Sequence, residues 1–320
     1  MNSISTDLAS YEIVVGKSSN RWVTSSREWI DLVDSFNGQV ECATVDSDLN
    51  GPVAAASYVD DGNLIVSGIV DPAGVFYADD AEPADVYNAS IVLAEHLRQV
   101  AARRDRAGVL IKLSATTISG FRGIDTALAL AFDESGYSQS RRSFFGVRPV
   151  PEFDCLSGMS ERFRTQVSAA GRLFRGKAAT SADDLRSVLE LYSEHANAKR
   201  TQMPFEADSF ITLCRGEAPI MSARLYSIEG SADAIGYSIS LHEGRGAELF
   251  SWGSVSPEAT SKHLTKYIVA DTVRDLATQG YSAIEYGCRF DGPVYGGLTE
   301  FYRRLGGEET AGVWMFKEIH

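Results

Sequence analysis

Apolar and polar positions alternate along the chain in a way that predicts two similar series of helices and strands. In the first series a helix is expected at 26–36, followed by strands at 53–58, 64–70 and 75–77. A long helix at 86–104, a strand at 109–113, a helix at 126–134 and a strand at 141–147 complete it. The stretch VRPVPEFDCLSG, 147–158, carries two prolines that break regular structure, so the domains are expected at 1–150 and 151–320. The second series begins with a strand at 173–180 and a helix at 182–200 that Ser181 can cap. Strands at 219–227, 234–242 and 248–254, a helix at 261–279 ended by Gly280, and a strand at 282–288 follow. A short helix at 297–305 and a strand at 313–318 close the chain.

The later elements recur in order: long helix, strand, irregular gap, short helix, glycine, strand. The intervals from Gly108 to Gly136 and from Gly280 to Gly306 are nearly equal, which suggests two copies of one α/β unit. The last short helix reads GLTEFYRRLGG. Leu298, Phe301 and Leu305 recur at helical spacing, and Gly306 can take the left-handed cap. Tyr302 is turned about 100° from Phe301 and is expected to face a cleft.

Charge changes the picture locally. The 320-residue chain carries a net charge of −13, which argues against a general nucleic-acid-coating protein. Yet bases dominate 141–177, with Arg141, Arg142, Arg148, Arg162, Arg164, Arg172, Arg175 and Lys177. Such a face can bind phosphates whatever the total charge. Cys42, Cys155, Cys214 and Cys288 are far apart and read as reduced thiols, with no metal site expected. No run approaches the ~20 apolar residues of a membrane span, and the first residues lack a basic region followed by an apolar one. A cytoplasmic monomer is expected.

The order β-α-β-β-β-α-β-α-β resembles the GNAT acetyltransferase fold. The doubled series resembles the tandem GNAT-like domains of Fem-type aminoacyl-tRNA-dependent transferases and their FemAB-like relatives, an α/β (α+β) class. The resemblance is strongest from 156 to 307. LSGMSERFRTQVSAAG, DDLRSVLELYSEHANAKR, LFSWGSVSPEATSKHLTKYIVADTVRDLATQGYSAIEYG and GLTEFYRRLGG carry it. The family pattern is close to G-L-x-x-F-K-x-x-F-G-G. Here Tyr302 stands where the family has lysine, and Leu305 replaces the second aromatic.

The resemblance implies an amide-forming acyltransferase. CoA-dependent members of this fold hold the pyrophosphate on a glycine-rich turn at a helix start. The matching turn here, SVSPEATSKHL, has no glycine and carries Glu258; the first-half counterpart, DDAEPADVYNAS, is acidic and equally lacks glycine. An aminoacyl-tRNA donor, with no other cofactor, is therefore expected. Its acceptor would be a small natural-product amine or a peptidoglycan precursor. An acyl-CoA-dependent N-acyltransferase and a non-catalytic binder with a decayed site stand as alternatives.

Candidate catalytic residues are Tyr302, as an oxyanion donor, His263, for proton transfer, and Trp252, to stack on the adenine of a tRNA end. Phe301, Arg303, Glu285 and His242 are candidates for substrate binding. Arg141, Arg142, Arg162, Arg164, Arg172 and Arg175 are candidates for tRNA phosphates. His195 lies on the helix at 182–200, which can extend that surface. Lys17, Arg21 and Trp29 are possible acceptor contacts in the first domain.

Overall fold

The computed structural model describes residues 3–18, 26–27, 29–31, 40–47, 51–67, 74–113, 124–149, 154, 157–199, 206–217, 219–289 and 296–319. They form two compact units: 1–143 with 310–320, and 144–309. The last eleven residues thus belong to the first unit, whereas the sequence reading placed everything after 150 in the second.

The first unit contains β1 (Ser3–Ser5), α1 (Leu8–Lys17), β2 (Glu41–Ser47), β3 (Gly51–Asp60), β4 (Leu64–Ser67), β5 (Val75–Tyr77), α2 (Pro83–Arg103), β6 (Gly108–Leu113) and α3 (Ile124–Glu134). Its strands run in the order β1-β2-β3-β4-β6, with β5 on β3. The C-terminal strand β13 (Glu308–Glu318) lies antiparallel to β6, with Val313 opposite Leu113 and Glu318 opposite Gly108. Pro83 sits in the first turn of α2, where a missing N–H costs nothing. Val86, Ala89, Leu93, Leu97 and Val100 repeat at helical spacing and are buried with Val109 and Ile111 of β6 in one apolar cluster.

The second unit follows β7 (Ser138–Val147), whose last residues it includes. It contains α4 (Glu161–Ala170), β8 (Phe174–Ala178), α5 (Ala182–Lys199), α6 (Ala207–Arg215), β9 (Met221–Ile228), β10 (Ala234–Glu243) and β11 (Gly246–Ser254). After these come α7 (Pro257–Ser261), α8 (Leu264–Thr278), β12 (Ala283–Arg289) and α9 (Gly296–Arg304). Its sheet order includes β12-β11-β10-β9-β8. β11 pairs with β10 along most of its length, with an irregularity between Ile239 and Ser240. Its parallel ladder with β12 stops after Gly246–Ala283, Ala247–Ile284 and Glu248–Glu285. Among the described residues the two strands form no further pair, so the ends of β11 and β12 splay.

The helix expected at 261–279 is α8, which starts three residues later, and the short α7 precedes it. His263 takes a left-handed conformation, φ 68°, and separates the short α7 from α8. The Ser256 hydroxyl accepts a hydrogen bond from the Ala259 N–H, capping α7 at 3.2 Å. The motif glycines have distinct duties. Gly306 ends α9 at φ +83° and packs on the Gly158 backbone. Gly307 lets the Tyr286 hydroxyl approach where a side chain would overlap it.

Candidate functional site

Three helix ends meet beside the splayed strands. The Ser160 N–H, just before α4, donates to the Arg304 carbonyl at the end of α9 (3.1 Å). Lys266, in the first turn of α8, donates from Nζ to Gln166 Oε1 of α4 (2.7 Å) and lies 4.6 Å from the centre of the Phe163 ring. Arg162, Lys266 and Arg304 therefore form a local cationic group beside His263. Burial lowers the pKa of Lys266, and Arg162 and Arg304 lower it further. His263 is lowered first by burial, then by Lys266 and Arg162. Arg304 is held by Glu300 at 2.7 Å, while Arg162 forms no ion pair with a described residue. Clustered like charges destabilise a fold, and an anion would relieve that repulsion.

An aromatic shelf adjoins the cations. Trp252 of β11 stacks on Phe301 of α9, ring centres 5.7 Å apart at 20°, and Phe163 meets Phe301 edge-on at 5.7 Å. Trp252 and Phe301 are both half-buried. Tyr302 takes the deeper position. It is 6% exposed, stacked on Phe145 at 5.4 Å, in the core of the second unit. The expectation that Tyr302 faces an opening gives way to a core placement. Gly287 of β12 leaves the space its ring occupies, where any Cβ would overlap it.

The remaining candidates are dispersed. Arg303 is exposed and bound to Glu309 at 3.0 Å. Glu285 is 3% exposed on β12, beside Glu248 in the ladder. Arg164 and Arg172 are exposed. Helical geometry turns Arg164 about 200° from Arg162, so Arg164 lies on the far flank of α4. Arg175 is engaged by Glu229 and by the carbonyls of Gly171 and Phe174. Arg141 and Arg142 lie in β7, in the first unit, with side chains outside the described residues. Trp29 is a core residue and Lys17 pairs with Asp80 at 3.1 Å, while Arg21 is outside the described residues.

His242 of β10 is buried, with Nε2 2.7 Å from Ser222 Oγ and its ring stacked on Tyr281 at 4.9 Å. Burial pushes its pKa down to about 4. The unfolded chain binds this proton near pH 6.5, before the folded one does. Stability from neutral His242 is thus fully present above pH 6.5 and lost as pH falls towards about 4. Replacement of His242 by Phe, which keeps the stack, should remove an acid-side loss of up to about 3 kcal/mol, read from urea midpoints between pH 4 and 7.

Sequence reasoning did not single out Lys266, Ser251 or Tyr237. The spacing of Arg162 to Lys266 carries no motif, because α4 and α8 meet only in the fold. On the other face of β11, the Tyr237 hydroxyl lies 2.8 Å from His195 Nδ1 and 3.1 Å from Ser251 Oγ. No group of three or more His, Cys, Asp or Glu among the described residues is placed to hold a metal ion. No helix among them is long and apolar enough to cross a membrane.

Residues 159–303 match the GNAT acetyltransferase-domain family. The match covers most of the second unit. The match supports acyl transfer as the general class of activity, and the chain as a whole has the tandem GNAT-like fold. Solved structures agree on that fold. FemX superposes with a TM-score of 0.63 at 10% identity, covering 98% of this chain and 96% of FemX. L-PGS from Bacillus licheniformis gives 0.59 at 12%, covering 97% and 91%. A tandem GNAT protein from the clavulanic acid biosynthesis pathway gives 0.59 at 14%, covering 99% and 98%. No curated protein sequence matches the chain.

Proposed function

We propose that the chain transfers an amino acid from aminoacyl-tRNA to an amine, forming an amide, and that the second unit receives the tRNA end. The observation that carries this reading is the cationic group of Arg162, Lys266 and Arg304, with His263, beside the Trp252–Phe301 shelf. Side-chain cations suit phosphates, and a half-buried stacked tryptophan suits a base. The group stands at the turn from β11 to α8, where CoA-dependent relatives of the fold would use glycine N–H groups. Here that turn has no glycine, and it holds a short helix with Glu258 paired to Lys262 at 2.6 Å. The resemblance to Fem-type transferases points the same way.

An aminoacyl ester is already activated, so the protein must hold the ester and the amine together and remove a proton. The acceptor in this reading is a small natural-product amine or a peptidoglycan precursor. Equilibrium binding of charged tRNA and of acetyl-CoA, each over a salt series, tests the donor. Charged tRNA should bind with a steep salt dependence, and Trp252→Ala should weaken it about 5- to 100-fold. Acetyl-CoA that binds tightly and displaces tRNA would favour the CoA-dependent alternative. Binding of neither donor would favour the decayed-site alternative.

A further inference from the structure

The face of β11 opposite the aromatic shelf carries a hydrogen-bonded chain drawn from three elements. Tyr237 of β10 is fully buried, and its hydroxyl touches Ser251 Oγ of β11 at 3.1 Å and His195 Nδ1 of α5 at 2.8 Å. The Tyr192 ring, 5.7 Å away at 45°, and the His195 ring, 5.9 Å away at 67°, fix the phenol. Gly253 lies two residues beyond Ser251, and any side chain there would overlap the His195 imidazole. Ser251 is past the last β11–β12 pair, at the splay, and His195 is half-buried on the helix. The chain therefore runs from the splayed strands towards the surface of α5.

We propose that Ser251, Tyr237 and His195 carry away the proton released by the acceptor amine, with His195 as its receiver. This rests on the acyl-transfer reading and places the amine on the α5 face of β11. As the amine nitrogen forms its bond to the acyl carbon, it gives a proton to Ser251 Oγ. Ser251 passes its own proton to the Tyr237 hydroxyl, and Tyr237 passes its own to His195 Nδ1. The imidazolium returns a proton to solvent, and solvent exchange resets the chain. The acyl–oxygen bond breaks, and the leaving oxygen takes a proton from water.

The other imidazoles described in this unit are worse placed. Burial and then the neighbouring cations oppose protonation of His263, and burial opposes protonation of His242. Burial also raises the Tyr237 pKa, so its phenol acts as a neutral conduit. The groups facing His195 include Tyr237 on β10, Ser251 and Gly253 on β11, and Tyr192 on its own helix.

Two measurements test the path. The first is nitrogen NMR of imidazole-labelled protein at pH 8, which reads the hydrogen-bond direction without any substrate. His195 Nδ1 should carry no proton and should shift in Tyr237→Phe; a protonated Nδ1 would overturn the path. The second is transfer from charged tRNA to an amine across pH 5–9. His195→Gln and Tyr237→Phe should each lower kcat about 10- to 100-fold and flatten the rise with pH. Donor affinity and Tm should stay near wild type, and imidazole should restore rate to His195→Gly. Variants with wild-type kcat and pH profile would overturn the proposal. A wild-type chain inactive with charged tRNA but active with an acyl thioester moves the pH arm to that donor. Inactivity with both donors refutes the functional reading, while the NMR result still decides the path.

Discussion

Reversing charge at Arg162 and Lys266 together should weaken charged-tRNA binding about 100-fold, roughly tenfold for each charge-assisted contact. The log–log salt slope should fall by about 1.4–1.8, the sum for two phosphates. The fold should not suffer. Like charges already press on Lys266 from Arg162 and Arg304. Relief of that repulsion offsets the loss of the Lys266–Gln166 hydrogen bond and the Phe163 contact, so Tm should stay near wild type. Arg164→Glu, on the other flank of α4, is the comparison. If Arg164→Glu carries the larger loss and the Arg162/Lys266 pair carries none, the donor runs over the opposite side of the helix.

Tyr302→Ala should cost about 3–5 kcal/mol of stability, the range for emptying a buried aromatic site. The ring is stacked on Phe145 and fills the space left by Gly287, so its removal leaves a void that the sheet cannot close. Tyr302→Phe keeps the ring and should fold normally. A rate loss of about 10-fold or more in Tyr302→Phe, without loss of stability, isolates a contribution of the hydroxyl to the reaction. Tyr302→Lys, which restores the residue of the Fem-type pattern, places an ammonium in a core position and should be less stable than Tyr302→Phe by urea denaturation. A Tyr302→Ala protein as stable as wild type would contradict the core placement.

These two predictions mark where sequence pattern was informative. The 3.6-residue period made α2 and α5 legible, and the runs at β5, β6 and β10 were legible to within two residues. The short amphipathic α4 and α6 were missed. Each has few buried positions, Phe163, Val167 and Ala170 in α4 and Phe210 in α6, too sparse a pattern to stand out. The left-handed break at His263 was hidden because no glycine marks it. The return of 310–320 to the first unit was also hidden, because it depends on pairing between β13 and β6 some 200 residues apart in sequence.

The site was legible in types more than in partners. Trp252, Phe301, Arg162 and His263 were named from sequence, and the fold brings them near one another. Tyr302 and Phe301 were harder to order. A 100° turn separates them, and helical spacing alone does not say which of two neighbours sits deeper. Gly287 decides it, from strand β12. Lys266 gains meaning only from the convergence of α4, α8 and α9. His195, Tyr237 and Ser251 come from three elements with no shared motif.

Label followed from donor to amide separates the two donors. Wild-type protein is mixed with tRNA charged with labelled amino acids, or with labelled acyl-CoA, and a panel of amines, and the amide product is quantified. The account predicts amide formation from charged tRNA, abolished by deacylating the tRNA beforehand and reduced in the Arg162→Glu/Lys266→Glu and Trp252→Ala proteins. Amide formed from acyl-CoA alone, at a rate indifferent to those substitutions, would contradict it.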